Sequence, residues 1–412
     1  MAPGRLRGWA ALLLSCALGC AGQEQGAPAA AEPYLRLGLA LAEQHRYSEA
    51  LAAYQQALAL APEAAHIHYN MANAYFRFEA FPEAIAAYHR AIALDPDCAA
   101  AYYNLALLHI RRKQFSKAFE PLQQALRADP DHSLAHNALG MLYFRQGEYQ
   151  QAAAEYIRAV QLDSAQAEVW CNLGELYTNQ NDFSRAEAAY RQALAADSAA
   201  AEACDGLGGL YAKQQRYAEA VEMLERAVAL DSLNTRACFL LGNAYLRMKE
   251  PQQGQRWLEV FSRLEAQDRL IASLKHSLLS HPDNARLHYS LGVLYGQRQQ
   301  FAEAKLKYEQ AIARDTAFAA AYHNLANIHL REGDLERASA LFYQALAADS
   351  TYALAHNGLG NVHLLRKDYA AALRAYERAL RFDPTRTEIR ENIESASRLA
   401  LREALPAARP SR

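Results

Sequence analysis

The amino-acid sequence predicts an all-α solenoid in which short antiparallel helix pairs repeat along the chain. A pattern recurs every 34 residues, and within residues 167–200 it places Trp170, Leu173, Gly174 and Tyr177 on one face of a first helix. Composition agrees, because 52% of the 412 residues are hydrophobic and 24 are tyrosine, which is enough apolar surface to fold. A chain of this length is too long for one compact core, so we expect an extended array of small units.

Each 34-residue unit predicts two helices separated by a turn. In the second helix of the unit at 167–200, Ala186 and Ala193 flank a tyrosine, and this small-large-small pattern recurs in neighbouring units. A proline or an Asp-Ser pair closes each unit: proline stops the second helix, and the serine is expected to cap the next first helix. Seven units fill residues 31–266 without a gap. Pro121 lies inside one predicted second helix and indicates a local kink near its N-terminus.

This pattern resembles the tetratricopeptide repeat, a family with the same 34-residue period and the same Trp, Leu-Gly, Tyr and Ala positions. The resemblance implies a right-handed superhelix of helix-turn-helix units. Small residues would let the two helices of a unit approach closely, and a bulky residue would fill the space to the next unit. Neither helix is expected to persist alone, since isolated helices shorter than roughly 12–15 residues are marginal in water.

The register of the repeats breaks once. After the seventh unit 16 additional residues precede the eighth, and residues 267–284 carry apolar positions such as Leu270 and Leu274 at helical spacing. We expect an extra helix and linker there, either a separate helix or a lengthened one. Three further units occupy 285–386, which makes about ten in all, and residues 387–412 predict a C-terminal capping helix and tail.

The first 20 residues have a different character. Arg5 and Arg7 precede a short apolar run that ends at Cys20, which is typical of a lipoprotein-type signal peptide and too short to span a membrane. We expect acylation of Cys20, with Cys16 as a second candidate and an ordinary cleaved secretory signal as the alternative. Residues 21–32 are typical of a flexible tether. The protein is therefore predicted to be exported and lipid-anchored in a bacterial cell envelope, at the outer membrane or in the periplasm.

Charge and motifs restrict the function. The net charge is -2 and the pI about 6.7, so binding to nucleic acid is disfavoured. No catalytic motif is present, and we expect neither enzyme activity nor a cofactor. The resemblance implies a scaffold that binds extended peptide segments of protein partners. The alternatives are an accessory lipoprotein for pilus, secretion or outer-membrane assembly and, less favoured, the repeat part of a glycosyltransferase-like system.

The resemblance also implies where a ligand binds. With the first residue of each unit as position one, positions two, five, nine, twelve and thirteen of the first helices face the concave groove. Arginines at position thirteen of three successive units, with aromatic residues interleaved, favour an extended acidic or C-terminal segment; a solvated basic face is the alternative. Asparagines at positions six and nine resemble the amide ladder that holds a peptide backbone in some members of the family. The predicted groove residues are Tyr69, Asn70, Asn73, Arg77, Tyr103, Asn104, Arg111, Asn137, Phe144, Arg145, Asn324 and Asn327.

Histidine and cysteine are the remaining candidates for chemistry. Histidines recur at positions four and eleven, where the family packs aromatic residues, so we expect core histidines and no metal site. Cys98, Cys171, Cys204 and Cys238 lie inside the array. Equivalent positions on stacked helices are roughly 9–10 Å apart, too far for a disulfide. We therefore expect free, buried thiols.

Overall fold

The computed structural model describes residues 30–404, and every regular element in that range is helical. Ten antiparallel helix pairs are followed by one C-terminal helix, and a short 3₁₀-helix interrupts the third pair. The predicted all-α solenoid of helix-turn-helix units is confirmed. The signal peptide, Cys20 and nearly all of the tether lie outside the described residues, so acylation and export stay predictions.

The first helices of the ten repeats contain 12 to 14 residues each. Their bounds are α1 Glu32–Glu43, α3 Ala65–Arg77, α5 Ala99–Arg111, α7 Ser133–Gln146, α9 Ala167–Asn179, α11 Ala201–Lys213, α13 Thr235–Arg247, α15 Ala285–Gln297, α17 Ala319–Arg331 and α19 Ala353–Leu365. The second helices are α2 Tyr47–Leu60, α4 Phe81–Leu94, α6 Phe119–Ala128, α8 Tyr149–Leu162, α10 Phe183–Ala196, α12 Tyr217–Leu230, α14 Pro251–Ser280, α16 Phe301–Arg314, α18 Leu335–Ala348 and α20 Tyr369–Phe382. The C-terminal helix α21 spans Thr387–Ala404.

The chain divides into two compact units after Asp268. The first unit contains repeats one to seven, and large side chains such as Tyr88 and Tyr156 are fully buried in its core. The second unit contains repeats eight to ten and α21, with Phe342 and Tyr376 fully buried. Each unit therefore has its own hydrophobic core.

Glycine allows the close approach of the two helices in a repeat. A Cβ atom placed on Gly174, at position eight, would lie 2.6 Å from the ring of Tyr190 on the second helix of the same repeat. A Cβ atom on Gly206, at position six of the next repeat, would lie 2.3 Å from the same ring. Tyr190 is thus held between two repeats because neither glycine has a side chain. The expected role of small residues is confirmed at this contact.

The sequence left open whether the extra residues after repeat seven form a separate helix or lengthen the second helix of that repeat. Helix α14 is one continuous helix of 30 residues, so the extra segment lengthens the second helix of repeat seven and is not a separate helix. In the first unit Trp257 packs on the core of repeats five to seven. In the second unit Ile271 is buried in the core, and Leu274 and Leu278 pack against it. Each part of α14 therefore shields the apolar surface of its own unit.

The turns inside the repeats share a left-handed residue at position fifteen. Its φ is positive in all ten repeats, and two of the ten are glycines, Gly147 and Gly333. The other eight are His45, Glu79, Lys113, Asn181, Gln215, Lys249, Gln299 and Lys367. A residue with a Cβ adopts this conformation at a steric cost, so most repeats tolerate local backbone strain at this turn.

The turns between repeats contradict the predicted serine caps. Ser198 does not cap α11, whose N-cap residue is Ala200. Instead the Asp197 carboxylate accepts the backbone N–H of Ala199 at 2.8 Å, a local turn that short acidic side chains favour. Other repeats use an aspartate at the same position in the same way: Asp95, Asp129, Asp163, Asp231, Asp315, Asp349 and Asp383. In the Asp-Ser pair at 197–198, the aspartate and not the serine therefore accepts the backbone hydrogen bond of the turn.

The kink predicted at Pro121 takes the form of a change in helix type. Residues Phe115–Ala118 form the 3₁₀-helix, and α6 begins at Phe119. Pro121 then lies in the first turn of α6, where a missing backbone N–H removes no intrahelical hydrogen bond.

Candidate functional site

The first helices contact one another from repeat to repeat. Helix α11, for example, contacts α9 and α13, the first helices on either side of it. We call the surface formed by positions two, five, nine, twelve and thirteen of these helices the first-helix face. This is the surface that the sequence predicts to meet a ligand.

Arginines at position thirteen stack on aromatic rings. The guanidinium of Arg145 lies 3.8 Å from the centroid of the Phe115 ring, at position seventeen of the preceding repeat. Arg111 lies over the equivalent ring of Phe81 at 5.7 Å and over Phe76 at 5.4 Å. Exposed contacts of this kind contribute about 0.5–1 kcal/mol. They also hold each guanidinium in a defined orientation.

The three predicted arginines differ in exposure and pairing. Arg77 is half-buried, and its pKa is lowered mainly by burial and further by the charge of Arg111. Arg111 is exposed and donates to Glu79 at 2.5 Å. Arg145 is exposed and has no carboxylate within ion-pair distance among residues 30–404. Arg145 is therefore the most available cation of the three.

Most of the predicted amides bond to a neighbouring repeat instead of facing a ligand. Asn104 is 1% exposed, and its Nδ2 donates to Tyr69 Oη and to Asn73 Oδ1, both at 3.0 Å. Asn172 Nδ2 donates to Asn137 Oδ1 at 2.9 Å in the same way. Position six of one repeat thus bonds to position five of the repeat before it. The prediction of an open groove is wrong for four residues, because each is buried: Tyr69, Tyr103, Asn104 and Asn137.

The second unit contains a longer chain of such bonds. Asn327 Nδ2 donates to His323 Nε2 at 3.1 Å, His323 Nδ1 donates to Asn324 Oδ1 at 3.2 Å, and Asn324 Nδ2 donates to Tyr289 Oη at 3.1 Å. Burial lowers the pKa of His323 to about 4, and the charge of Arg386 adds to this shift. The neutral imidazole therefore belongs to the network. Asn324 and Asn327, which the sequence predicts to face a ligand, use their amides inside the protein.

Besides Arg77, the predicted residues Asn73 and Phe144 are half-buried on the first-helix face of repeats two and four, and Asn70 is half-buried beside that face at position six. Asn73 accepts from Tyr88 Oη at 2.6 Å, so its oxygen is already bonded. Phe144 packs against Tyr149 with ring centroids 5.6 Å apart. Asn70 makes no side-chain hydrogen bond within the described part of the chain. Its amide therefore stays available to a ligand.

Arg77, Arg111 and Arg145, at position thirteen of repeats two to four, form an arginine row that is interrupted in repeat five. Repeat five has Asn179 at position thirteen, and Glu168 and Glu202 occupy position two of repeats five and six. Burial raises the pKa of Glu168 to about 7, and repulsion from Glu202 adds to the shift, whereas a hydrogen bond with Asn137 opposes it. An acidic ligand bound to the arginine row would meet unfavourable charge at this point.

One recurrent hydrogen bond was missed by sequence reasoning. His136 Nε2 donates to the carbonyl of Pro130 at 3.0 Å, and Trp170 Nε1 donates to the carbonyl of Ser164 at 3.0 Å. Both donors stand at position four and reach the turn six residues earlier. The same bond is made by His68, His288, His356 and Arg390. The sequence did contain a signal for this bond, because position four often carries a side chain with an N–H group. The prediction that these residues only pack in the core named no acceptor for that group.

Between residues 30 and 404, no group of three or more His, Cys, Asp or Glu side chains is placed to hold a metal ion. In that same range no helix has both the length and the apolar character needed to cross a bilayer.

The cysteines only partly follow the prediction of free thiols. Cys204 and Cys238 are free and buried, and burial raises the pKa of each thiol, to about 11 at Cys238. Cys171 is also buried. Cys98 is disulfide-bonded, so the prediction is wrong there. Position in the repeat alone did not reveal this bond.

Stacked helix pairs joined by position-specific hydrogen bonds define a helical-repeat protein. The sequence matches family models described as tetratricopeptide repeat at residues 69–133, 122–154, 167–198, 211–278, 289–353 and 323–387, and models described as TPR repeat at residues 38–77 and 140–181. Together these matches cover well over half of the chain. The chain belongs to the tetratricopeptide-repeat family.

Solved structures of similar fold match less than half of the chain. A crystal structure of MamA protein is 22% identical, covers 42% of this chain and 93% of its own, and has a TM-score of 0.35. YrrB, described as a TPR protein with an unusual peptide-binding site, is 24% identical with coverage of 45% and 95% and a TM-score of 0.37. MamA 41-end from Desulfovibrio magneticus RS-1 is 18% identical with coverage of 42% and 99% and a TM-score of 0.39. No match was found among curated proteins.

Proposed function

We propose that this chain is a non-enzymatic protein-interaction scaffold that binds an extended acidic segment of a partner along the first-helix face of repeats two to four. The observation that carries the proposal is the exposed Arg145 guanidinium, which is stacked on Phe115 at 3.8 Å and has no carboxylate partner within residues 30–404. A stacked guanidinium keeps its N–H groups free at the edge, where a carboxylate binds through two parallel hydrogen bonds.

A row of such groups is needed because single exposed ion pairs contribute only about 0–1 kcal/mol. Arg111 and Arg77 occupy the same position in the two preceding repeats, and the half-buried Asn70 adds an amide beside this surface, at position six. Stacking on the rings restricts Arg111 and Arg145 before a ligand arrives, which lowers the entropy lost on binding.

The proposal is tested by fluorescence anisotropy with two labelled ten-residue peptides, one rich in Glu and one rich in Lys. We expect the acidic peptide to bind more tightly and its affinity to fall with added salt. The double variant Arg111→Glu/Arg145→Glu should weaken binding about tenfold or more, since two attractive contacts become repulsive. The matched control is Arg158→Glu. Arg158 is an exposed arginine on the second helix of repeat four, and it pairs with Asp131 at 2.7 Å. Equal affinity in the double variant and the control would reject the arginine row.

We also propose that the protein works at a bacterial cell envelope, exported and anchored through acylated Cys20. The basic and apolar composition of residues 1–20 supports this proposal. Cells fed a clickable fatty-acid analogue should label the wild-type protein and its Cys16→Ser variant, but not the Cys20→Ser variant. A wild-type protein that takes up no label would reject the anchor.

A further inference from the structure

Repeat seven exposes an aromatic side chain at a position that is buried in the other repeats of the first unit. Position five is buried in repeats two to six, with Tyr69 at 2% and Tyr103 at 1% exposure. In repeat seven this position is Phe239, and it is 44% exposed.

The interruption of the array explains this exposure. In uninterrupted stretches, position six of the next first helix covers position five, as Asn104 covers Tyr69. An eighth repeat in register would begin 34 residues after Thr235, but α14 continues through that register to Ser280. No first helix follows repeat seven at that spacing, so Phe239 lacks the residue that would cover it.

Phe239 belongs to a small apolar surface. Leu246 lies two turns further along the same face of α13 and is 40% exposed. Phe261 of α14 packs against Phe239 with ring centroids 5.1 Å apart. We call Phe239, Leu246 and Phe261 the repeat-seven patch. A cluster of exposed apolar side chains on a ligand-facing surface is typical of a binding site.

Cations flank the repeat-seven patch. Lys213 and Arg247, at position thirteen of repeats six and seven, are exposed, and neither has an ion pair with any described residue. Arg236 is different, because it pairs with Asp205. Apolar surface beside unpaired cations is complementary to an apolar side chain beside carboxylates.

We propose that the repeat-seven patch binds an aromatic or large aliphatic side chain carried by an acidic partner segment. This inference rests on the proposed function, because it assigns to the same class of ligand an apolar anchor at the other end of the first unit. A second copy of the chain is a poorer occupant, since pairing two patches would bring Lys213 and Arg247 close to the same cations of the copy. Aromatic anchors in apolar surfaces are where binding energy concentrates.

The test uses the full chain and two labelled twelve-residue acidic peptides that differ only in a central Phe or Ala. Wild type should bind the Phe peptide about tenfold more tightly than the Ala peptide. Phe239→Asn, and independently Leu246→Asn, should abolish this preference while leaving the affinity for the Ala peptide unchanged. The matched control is Tyr343→Asn, a 55% exposed aromatic residue of α18, which should keep the wild-type preference.

Different results would reject the proposal for the arginine row and the proposal for the repeat-seven patch. If Arg111→Glu/Arg145→Glu weakens both peptides but Phe239→Asn and Leu246→Asn keep the preference for Phe, the patch is rejected and the row stands. If the arginine variant binds both peptides as wild type does but the patch variants lose the preference, the row is rejected and the patch stands. Sedimentation that shows self-association in wild type and its loss in Phe239→Asn would overturn the partner assignment in favour of a second copy.

Discussion

The amide of Asn104 donates to the hydroxyl of Tyr69 across the boundary between repeats two and three, at 3.0 Å and 35 positions apart in the sequence. The amides of Asn172, Asn324 and Asn392 make the corresponding bonds at other boundaries. In this chain the asparagine at position six therefore stabilises the stacking of repeats. Replacing such an asparagine should therefore lower the stability of the repeats more than it lowers the affinity for a ligand.

Replacement of Asn104 by Ala should lower the free energy of unfolding of the surrounding repeats by about 1–3 kcal/mol, because buried acceptors lose their donor. Hydrogen exchange of the α3 and α5 amides would measure this loss of protection. Asn70→Ala is the control, since Asn70 has the same position in the preceding repeat but no hydrogen bond within the described residues. Equal loss of protection in both variants would contradict the structural role of Asn104.

Gly206→Ala should destabilise the contact between repeats five and six by about 1–3 kcal/mol, since the added Cβ would lie 2.3 Å from the Tyr190 ring and Gly174 restricts the ring on its other side. Urea unfolding followed by tyrosine fluorescence would detect the lower midpoint. Gly296→Ala is the control, because its Cβ would have only Tyr308 Oη nearby, at 3.7 Å. That control should be neutral or stabilising, as Ala favours helix over Gly by up to about 1 kcal/mol. A midpoint for Gly206→Ala at or above wild type would exclude the steric account.

Gln215→Gly should stabilise the turn of repeat six by about 0.5–1 kcal/mol, because φ is +61° there and glycine adopts this conformation without a clash. The converse change, Gly147→Ala, should destabilise repeat four although the space around Gly147 is open, since its φ is +83°. Thermal unfolding should therefore shift in opposite directions for the two variants. Shifts of the same sign would show that side-chain contacts, not backbone conformation, control these turns.

Acidification should destabilise the second unit through His323. The folded-state pKa is about 4 and the unfolded value about 6.5, so the unfolded chain takes up the proton first as the pH falls. The contribution to stability is complete above pH 6.5 and is lost progressively down to about pH 4, with a maximum of about 3 kcal/mol. His323→Tyr, which places there the residue found at position five in repeat eight, should show a smaller loss between pH 7 and pH 4.5 in thermal melts. A wild-type loss no larger than that of the variant would refute this assignment.

The fold was predictable because its determinants are local. Position-specific packing such as Gly174 against Tyr190 repeats every 34 residues, so periodicity alone reveals ten helix pairs. The site was less predictable, because exposure at position five depends on the following repeat. Tyr103 is buried by its neighbours, whereas Phe239 is exposed by the lengthened α14, and neither outcome can be read from the residue itself. The position-four donors escaped notice because their acceptors are backbone carbonyls, which carry no sequence signal.

The bonds that join one repeat to the next connect residues that are close in sequence. The longest described above, such as those of Asn104 and Asn172, span 35 positions. Contacts of such short range impose little loop-closure entropy, and folding rates rise as the sequence separation of contacts falls. Each repeat can therefore complete its contacts as soon as the next first helix has been synthesised, and the array can grow in the order of translation, one repeat upon another.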